Sequence, residues 1–215
     1  VRRQARAEAT RRRIIDAAVE LFAAIGYGDT SLADIVKAAK VTKGAFYYHF
    51  TSKEAVAEAI IGESNERVAA AYADATREAR PALEKLIAGS YAIAGAIRSD
   101  TLVGIGNQLI QSLSQIGDTG GQVYPRWKSI FAEEANAAAT AGQLRDGMIA
   151  DDVGEAIYVS MVGCQLLSDA IGDDAFDRLA RAWRILLRAV APGKALAELD
   201  DFLIGTRQLY RDPTR

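Results

Sequence analysis

Between Ser31 and Glu54 the chain carries three helix-start signals, and they constrain the fold more than any other feature. A Ser or Thr just before a helix accepts a hydrogen bond from a backbone N–H that has no partner within the helix. Ser31 with Asp34 three residues on has the form of a capping box, although aspartate reaches back less well than glutamate. Thr42 stands ahead of "KGAFYYHF", and Thr51 with Glu54 makes a T-x-x-E box that opens a further helix. Helices started at 31 and 42 therefore have room for only two turns or so, which is a helix-turn-helix pattern. Ahead of them, Ile14, Ile15, Ala18, Leu21, Phe22 and Ile25 recur at three- and four-residue intervals and predict one buried face of a first helix. Gly26 is expected to end it, and Leu32, Ile35, Val36 and Ala39 to face inward from the second helix.

Beyond residue 52 the pattern stays helical, with predicted helices at 52–78, 81–97, 101–115, 122–141, 151–171, 174–190 and 194–210. The expected breaks are Arg80-Pro81, Ser99-Asp100, the glycine-rich "GDTGG" at 117–121, "DGM" at 146–148, Gly172-Asp173 and Pro192-Gly193. No stretch alternates with period two long enough for a strand, so the expected class is all-α. The expected division is a small head, residues 1–51, and a helical body, residues 52–215.

The charge is unevenly spread. Residues 1–53 hold ten Lys/Arg against five Asp/Glu, while the rest holds sixteen against twenty-three. That split suits a basic head for a polyanion on a body with another task. Half of the residues are apolar, enough for a sizeable core, and no apolar run is long and uncharged enough to span a membrane. The segment "VRRQARAEATRRR" lacks the apolar run of a signal peptide, so the expected location is cytoplasmic, with no membrane partner. Cys164 is the lone cysteine, which excludes an internal disulfide and a cysteine zinc cage.

His49 is the lone histidine, and it narrows the chemistry. Metal sites recruit several His, Cys or carboxylate ligands, and a catalytic base needs a nucleophile or an orienting carboxylate beside it; its segment offers neither. No metal, cofactor or catalytic residue is therefore expected. A buried core histidine is one remaining reading. The other sets Thr42, Lys43, Gly44, Tyr47, Tyr48 and His49 around a helix presented to DNA, with hydroxyls, an ammonium and an imidazole N–H for phosphate oxygens or base edges. Ala45, Phe46 and Phe50 would then pack inward, and Gly44 would admit the DNA backbone near the helix N-terminus.

"TSLADIVKAAKVTKGAFYYHFTSKEAV", with "IIDAAVELFAAIGYGDTS" before it, resembles the DNA-binding head of the TetR family of regulators. The resemblance implies a three-helix head on a larger ligand-binding body, acting as a homodimer on a near-palindromic double-stranded operator. It implies DNA contacts from Ser31, Thr42, Lys43, Gly44, Ala45, Tyr47, Tyr48 and His49, with Lys53 on a phosphate. Lys40 stands where the family commonly has a glycine in the turn between the second and third helices. A left-handed turn would cost lysine roughly 1–2 kcal/mol there.

"YPRWKSIF" at 124–131 and "RLARAWRILLRAVAP" at 178–192 resemble the γ-butyrolactone-receptor branch of that family. That resemblance implies a pocket faced by Trp127, on a helix that Pro125 is expected to start. Tyr124, Gln108, Gln111, Tyr158, Met161 and Gln165 are further candidates, as polar or deformable side chains among apolar neighbours. The family pairs its last two long helices across a twofold axis, which assigns Ile157, Cys164, Leu167, Trp183, Leu186, Leu187 and Val190 to a dimer interface. The expected function is a transcriptional repressor released from its operator by a small hydrophobic effector such as a γ-butyrolactone-like signal. The alternatives are a multidrug-efflux regulator binding aromatic cations, or a helical carrier or enzyme with no DNA role.

Overall fold

Gly26 breaks the first helix where the sequence places its stop: φ 82° and ψ 158° there are open to glycine and strained for other residues. The computed structural model describes residues 2–113 and 118–211. Among these the chain forms ten α-helices: α1 (Arg2–Asp29, broken at Gly26), α2 (Leu32–Ala38), α3 (Lys43–His49), α4 (Lys53–Thr76) and α5 (Ala82–Ser99). They continue with α6 (Thr101–Leu113), α7 (Asp118–Thr140), α8 (Ala150–Ile171), α9 (Ala175–Val190) and α10 (Leu196–Arg211), the last entered through a 3₁₀ turn at Gly193–Ala195. Every predicted helix is present; the predicted end of α6 at 114–115 lies outside the described residues.

Two predicted starts are corrected. "GDTGG" does not precede α7 but, from Asp118, forms its first turn, and Pro125 lies inside the helix instead of opening it. Proline has no N–H to give the carbonyl four residues back, and the helix continues past that lost bond. The cap of α4 is Ser52, whose Oγ accepts from Ala55 N at 3.2 Å. The T-x-x-E box at Thr51 is therefore not made; Glu54, one residue too early for a box from Ser52, accepts from the Tyr27 hydroxyl at 3.3 Å.

The contacts divide the chain into two compact units, Val1–Arg67 with Ile97–Val123, and Val68–Ala96 with Tyr124–Arg215. In the first unit α1 packs on α2, α3 and α6 around Ile14, Ile15, Phe22, Ile35, Phe46 and Phe50, all buried. Ile25, expected inward, is exposed. Gly106 lets α6 lie directly against α4, because a side chain there would collide with Ser64. Ser64 Oγ donates to Val103 O at 3.3 Å across the same contact.

A chain of ion pairs ties the three helices together. Arg12 of α1 meets Glu63 of α4 at 2.5 Å, Glu63 also holds Arg67, and Arg67 meets Asp100 at 2.6 Å. Asp100 caps α6, accepting from Leu102 N at 2.9 Å. Burial pushes both carboxyls up, but hydrogen bonds from Arg12 and Arg67 to Glu63, and from Arg67 to Asp100, outweigh it and hold them below the usual carboxylate range. A carboxyl depressed in the folded state stabilises above its unfolded pKa, about 4, and loses that contribution as the pH falls through the folded value. The urea midpoint should therefore fall below about pH 4, and Glu63→Gln should flatten that fall. Equal acid sensitivity in the variant would show that the ladder carries no stability.

The second unit is built on aromatic packing. Tyr91 stacks on Phe176 and donates its hydroxyl to Phe176 O at 3.2 Å. Gly154 brings α8 onto the backbone of α7, where an added Cβ would sit 2.7 Å from Ala132 Cα and Phe131 O. On α8 the inward row is Val153, Ile157, Met161, Cys164 and Ser168, and on α9 it is Phe176, Leu179, Trp183, Leu187 and Val190. Gly172 ends α8 in the left-handed conformation, and Asp174 caps α9 through the N–H groups of Phe176 and Asp177.

Candidate functional site

The first unit presents α3. Its seat is set by local chemistry on either side. Ser31 and Asp34 complete the capping box that opens α2, Ser31 N donating to Asp34 Oδ2 at 3.0 Å and Asp34 N to Ser31 Oγ at 3.1 Å. The turn out of α2 has Lys40 at φ 53°, with Val41 N bonded to Val36 O and Lys40 N to Lys37 O. That is a Schellman motif with lysine in the position glycine usually fills, at a cost of about 1 kcal/mol or more. Thr42 then caps α3, its Oγ1 accepting from Ala45 N at 3.1 Å.

Phe46 is fully buried and edge-on to Tyr47, and buried Phe50 carries the Arg11 guanidinium over its ring at 5.4 Å. The opposite face of α3 is open. Lys43, Gly44, Tyr47 and Tyr48 are exposed, Tyr48 by 74%, and Ala45 and His49 are half-buried. His49 is thus not a core histidine; it lies edge-on to Tyr48, with ring centres 4.9 Å apart. No atom comes within 4 Å of a Cβ built on Gly44, so nothing inside the protein demands glycine there. The face is a row of polar tips with open space over Gly44.

Lys53 is held from within the protein. Its ammonium is held by Tyr27 O at 2.9 Å and Thr30 O at 2.8 Å, and lies 4.2 Å from the centre of the Tyr27 ring. It fastens the turn between α1 and α2, leaving at most one N–H for a phosphate. The Tyr27 phenol is pushed up to about 12 by burial, then by the neighbouring Glu54 carboxylate, and so stays neutral. Arg11 and Tyr27 were not singled out from the sequence, because only the fold brings them to Phe50 and Lys53.

The second unit holds a cleft of about 510 Å³ lined by Tyr124, Pro125, Lys128, Glu155, Tyr158, Val159 and Val162. Lys128 and Glu155 pair across it at 2.7 Å. Two of the expected ligand residues, Tyr124 and Tyr158, line it. Trp127 does not: it is buried, edge-on to Tyr72 at 5.4 Å. Met161 is buried in the inward row of α8, and Gln165 donates to Asp169 at 2.8 Å. Gln108 and Gln111 belong to α6, in the other unit, Gln108 exposed and Gln111 half-buried.

Five of the seven residues assigned to a dimer interface are spent inside the protomer: Ile157, Cys164, Trp183, Leu187 and Val190 are buried. They have little surface left to offer a second copy. Leu167 is exposed and Leu186 half-buried, and the apolar surface of these helices consists otherwise of Val159, Leu166, Ile171 and Ile185. Among the described residues no helix is long and apolar enough to cross a membrane, and no group of three or more His, Cys, Asp or Glu is placed to hold a metal.

Residues 14–60, which span the core of the head and all of α3, match the family model for bacterial regulatory proteins of the tetR family. Over 202 residues the chain is 32% identical to the A-factor receptor protein of Streptomyces griseus, covering 92% of this chain and 69% of that one. The fold superposes on a crystal structure of a gamma-butyrolactone receptor (ArpA-like protein) with a TM-score of 0.77 and 27% identity, over 94% of this chain and 98% of that one. CprB from Streptomyces coelicolor, solved in complex with its biological operator sequence, gives 0.77 and 28% over the same shares. With the open face of α3, the Lys40 turn and the capped α2 and α3 all inside the matched segment, this chain belongs to the TetR family of bacterial regulatory proteins.

Proposed function

We propose that the protein is a cytoplasmic, ligand-responsive repressor, a homodimer that binds a near-palindromic DNA operator and is released by a small hydrophobic effector of the γ-butyrolactone kind. The observation that carries the DNA reading is the face of α3. Lys43, Tyr47 and Tyr48 stand exposed around Gly44 on a helix whose buried face locks into the head. In such motifs the second helix of the pair enters the major groove, and one short helix reads too few base pairs for high specificity, so a second half-site is needed. Functionally, residues 1–51 act as the reading head and residues 52–215 as the sensing and pairing body.

The effector reading rests on Tyr124, Tyr158, Val159 and Val162 along the cleft, apolar walls with polar tips. The likeness to a gamma-butyrolactone receptor supports a lactone over an aromatic cation. So does the cleft's one carboxylate, Glu155, which is already paired with Lys128. α4 has its first part in one compact unit and its last turns in the other, which makes it one covalent route for the signal. Release requires the effector to bind the DNA-incompetent arrangement more tightly. No reaction is assigned to the protein.

The test is an electrophoretic shift on duplex DNA from upstream of its own coding sequence. We expect a dimer per operator, affinity that falls steeply with salt, and release by alkyl γ-lactones but not by cationic dyes. A protein that binds no DNA, or binds all sequences alike at physiological salt, would refute the repressor reading.

A further inference from the structure

Tyr72 of α4 is a tyrosine where the packing asks only for a phenylalanine. The residue is buried, only 8% exposed, with its ring centre 5.4 Å from that of Trp127 and 6.1 Å from that of Phe131. α5 makes room for that ring, since any side chain at Gly89 would collide with it. Yet the Tyr72 hydroxyl finds no hydrogen-bond partner among the described residues. Tyr91, also buried in the same unit, shows the usual arrangement, donating to Phe176 O at 3.2 Å. A buried hydroxyl left unpaired destabilises a fold relative to the apolar side chain of the same shape. Burial, and after it the charges of Glu134 and Glu133, push the phenol up, so it stays protonated and can donate.

One ring links Tyr72 to the wall of the cleft. Phe131, which touches Tyr72, also touches Tyr158 at 5.3 Å, and Tyr158 is a wall of the cleft. We propose that the Tyr72 hydroxyl is the polar anchor of the effector, donating a hydrogen bond to its carbonyl oxygen once the edge of Trp127 moves aside. The inference rests on the reading above that the body holds an effector. It adds the atom that selects it. Without effector, the closed aromatic cluster leaves the hydroxyl unsatisfied; with effector, the opened cluster satisfies it. That difference is what lets the ligand favour one arrangement over the other. It also sets chemical class: a ligand with an apolar tail but no strong acceptor leaves the hydroxyl unpaired and is rejected.

The experiment uses the full chain and Tyr72→Phe, with γ-dodecalactone and its carbonyl-free analogue 2-octyltetrahydrofuran as probes. Tryptophan fluorescence titration and thermal unfolding give the readouts. Expected is a variant that melts higher than the parent without ligand and binds the lactone roughly tenfold more weakly. The parent should prefer the lactone to the ether, and the variant should not distinguish them. A purely structural tyrosine would change the melting temperature and leave the lactone-to-ether preference intact, which overturns the proposal. So does a variant that melts lower than the parent, or a parent that binds neither probe. Operator binding, measured on the same samples, separates these outcomes from a failure of the repressor reading: it should be equal in both proteins.

Discussion

Glutamate in place of Ile185 is expected to split the dimer into folded monomers, and glutamate in place of Leu187 to unfold the protomer. The two residues sit two apart on α9 and therefore on opposite sides of it. Ile185 is 72% exposed and Leu187 fully buried in the protomer. A carboxylate at 187 would be buried inside the protomer, at a cost on the order of several kcal/mol. That is a large part of a typical domain's stability. A carboxylate at 185 costs the protomer nothing, since it stays wet until a second copy arrives. Sedimentation velocity and circular dichroism at micromolar concentration would distinguish the two losses. Ile185→Glu sedimenting as a dimer would move the interface away from this face. Leu187→Glu as a folded monomer would restore that residue to the interface.

The reason that pair was not separable in the sequence is geometric. A row of apolar residues at three- and four-residue spacing names a stripe, but a helix that is apolar on two sides offers two stripes. On α8 the buried row steps from Cys164 to Ser168, while Leu167 and Ile171, the more apolar choice, face out. Polarity does not tell the two sides apart, because the outward face is itself apolar. Local signals fared better. Gly26, the Ser31–Asp34 box, Thr42 and Gly172 are written in residues at most a few positions apart, and each behaves as its chemistry requires. The exception is instructive: Thr51 and Ser52 are adjacent candidates for one cap, and the Glu54 bond to Tyr27, twenty-seven residues away, accompanies the second choice. Lys53 reads the same way, as a phosphate ligand by resemblance and as a clamp on Tyr27 and Thr30 once the turn is in place. Tyr72 was legible only as one apolar position among many, because an unpaired hydroxyl is a property of packing.

On the DNA side, Lys43→Ala is expected to weaken operator binding roughly thirtyfold, and Tyr47→Phe by a smaller factor, with the fold intact. Both side chains are exposed, and neither takes part in the packing of the head beyond the edge contact of the Tyr47 ring with Phe46, which phenylalanine keeps. A homodimer places each residue on the DNA twice, so a contact worth about 1 kcal/mol per half-site counts about 2 kcal/mol per complex. The salt dependence tells what each residue touches. If Lys43 meets a phosphate, its removal lowers the slope of log affinity against log salt and weakens all sequences alike; if it meets a base edge, specificity at one position relaxes. Gly44→Ala supplies the sharpest contrast. The open space around it and the helix propensity of alanine, better by about 1 kcal/mol, predict a protein at least as stable as the parent. Its methyl would nevertheless stand in the gap through which the DNA backbone approaches, and operator binding should fall. A Gly44→Ala protein that is more stable and binds its operator as tightly as the parent would show that this gap is not where the DNA lies.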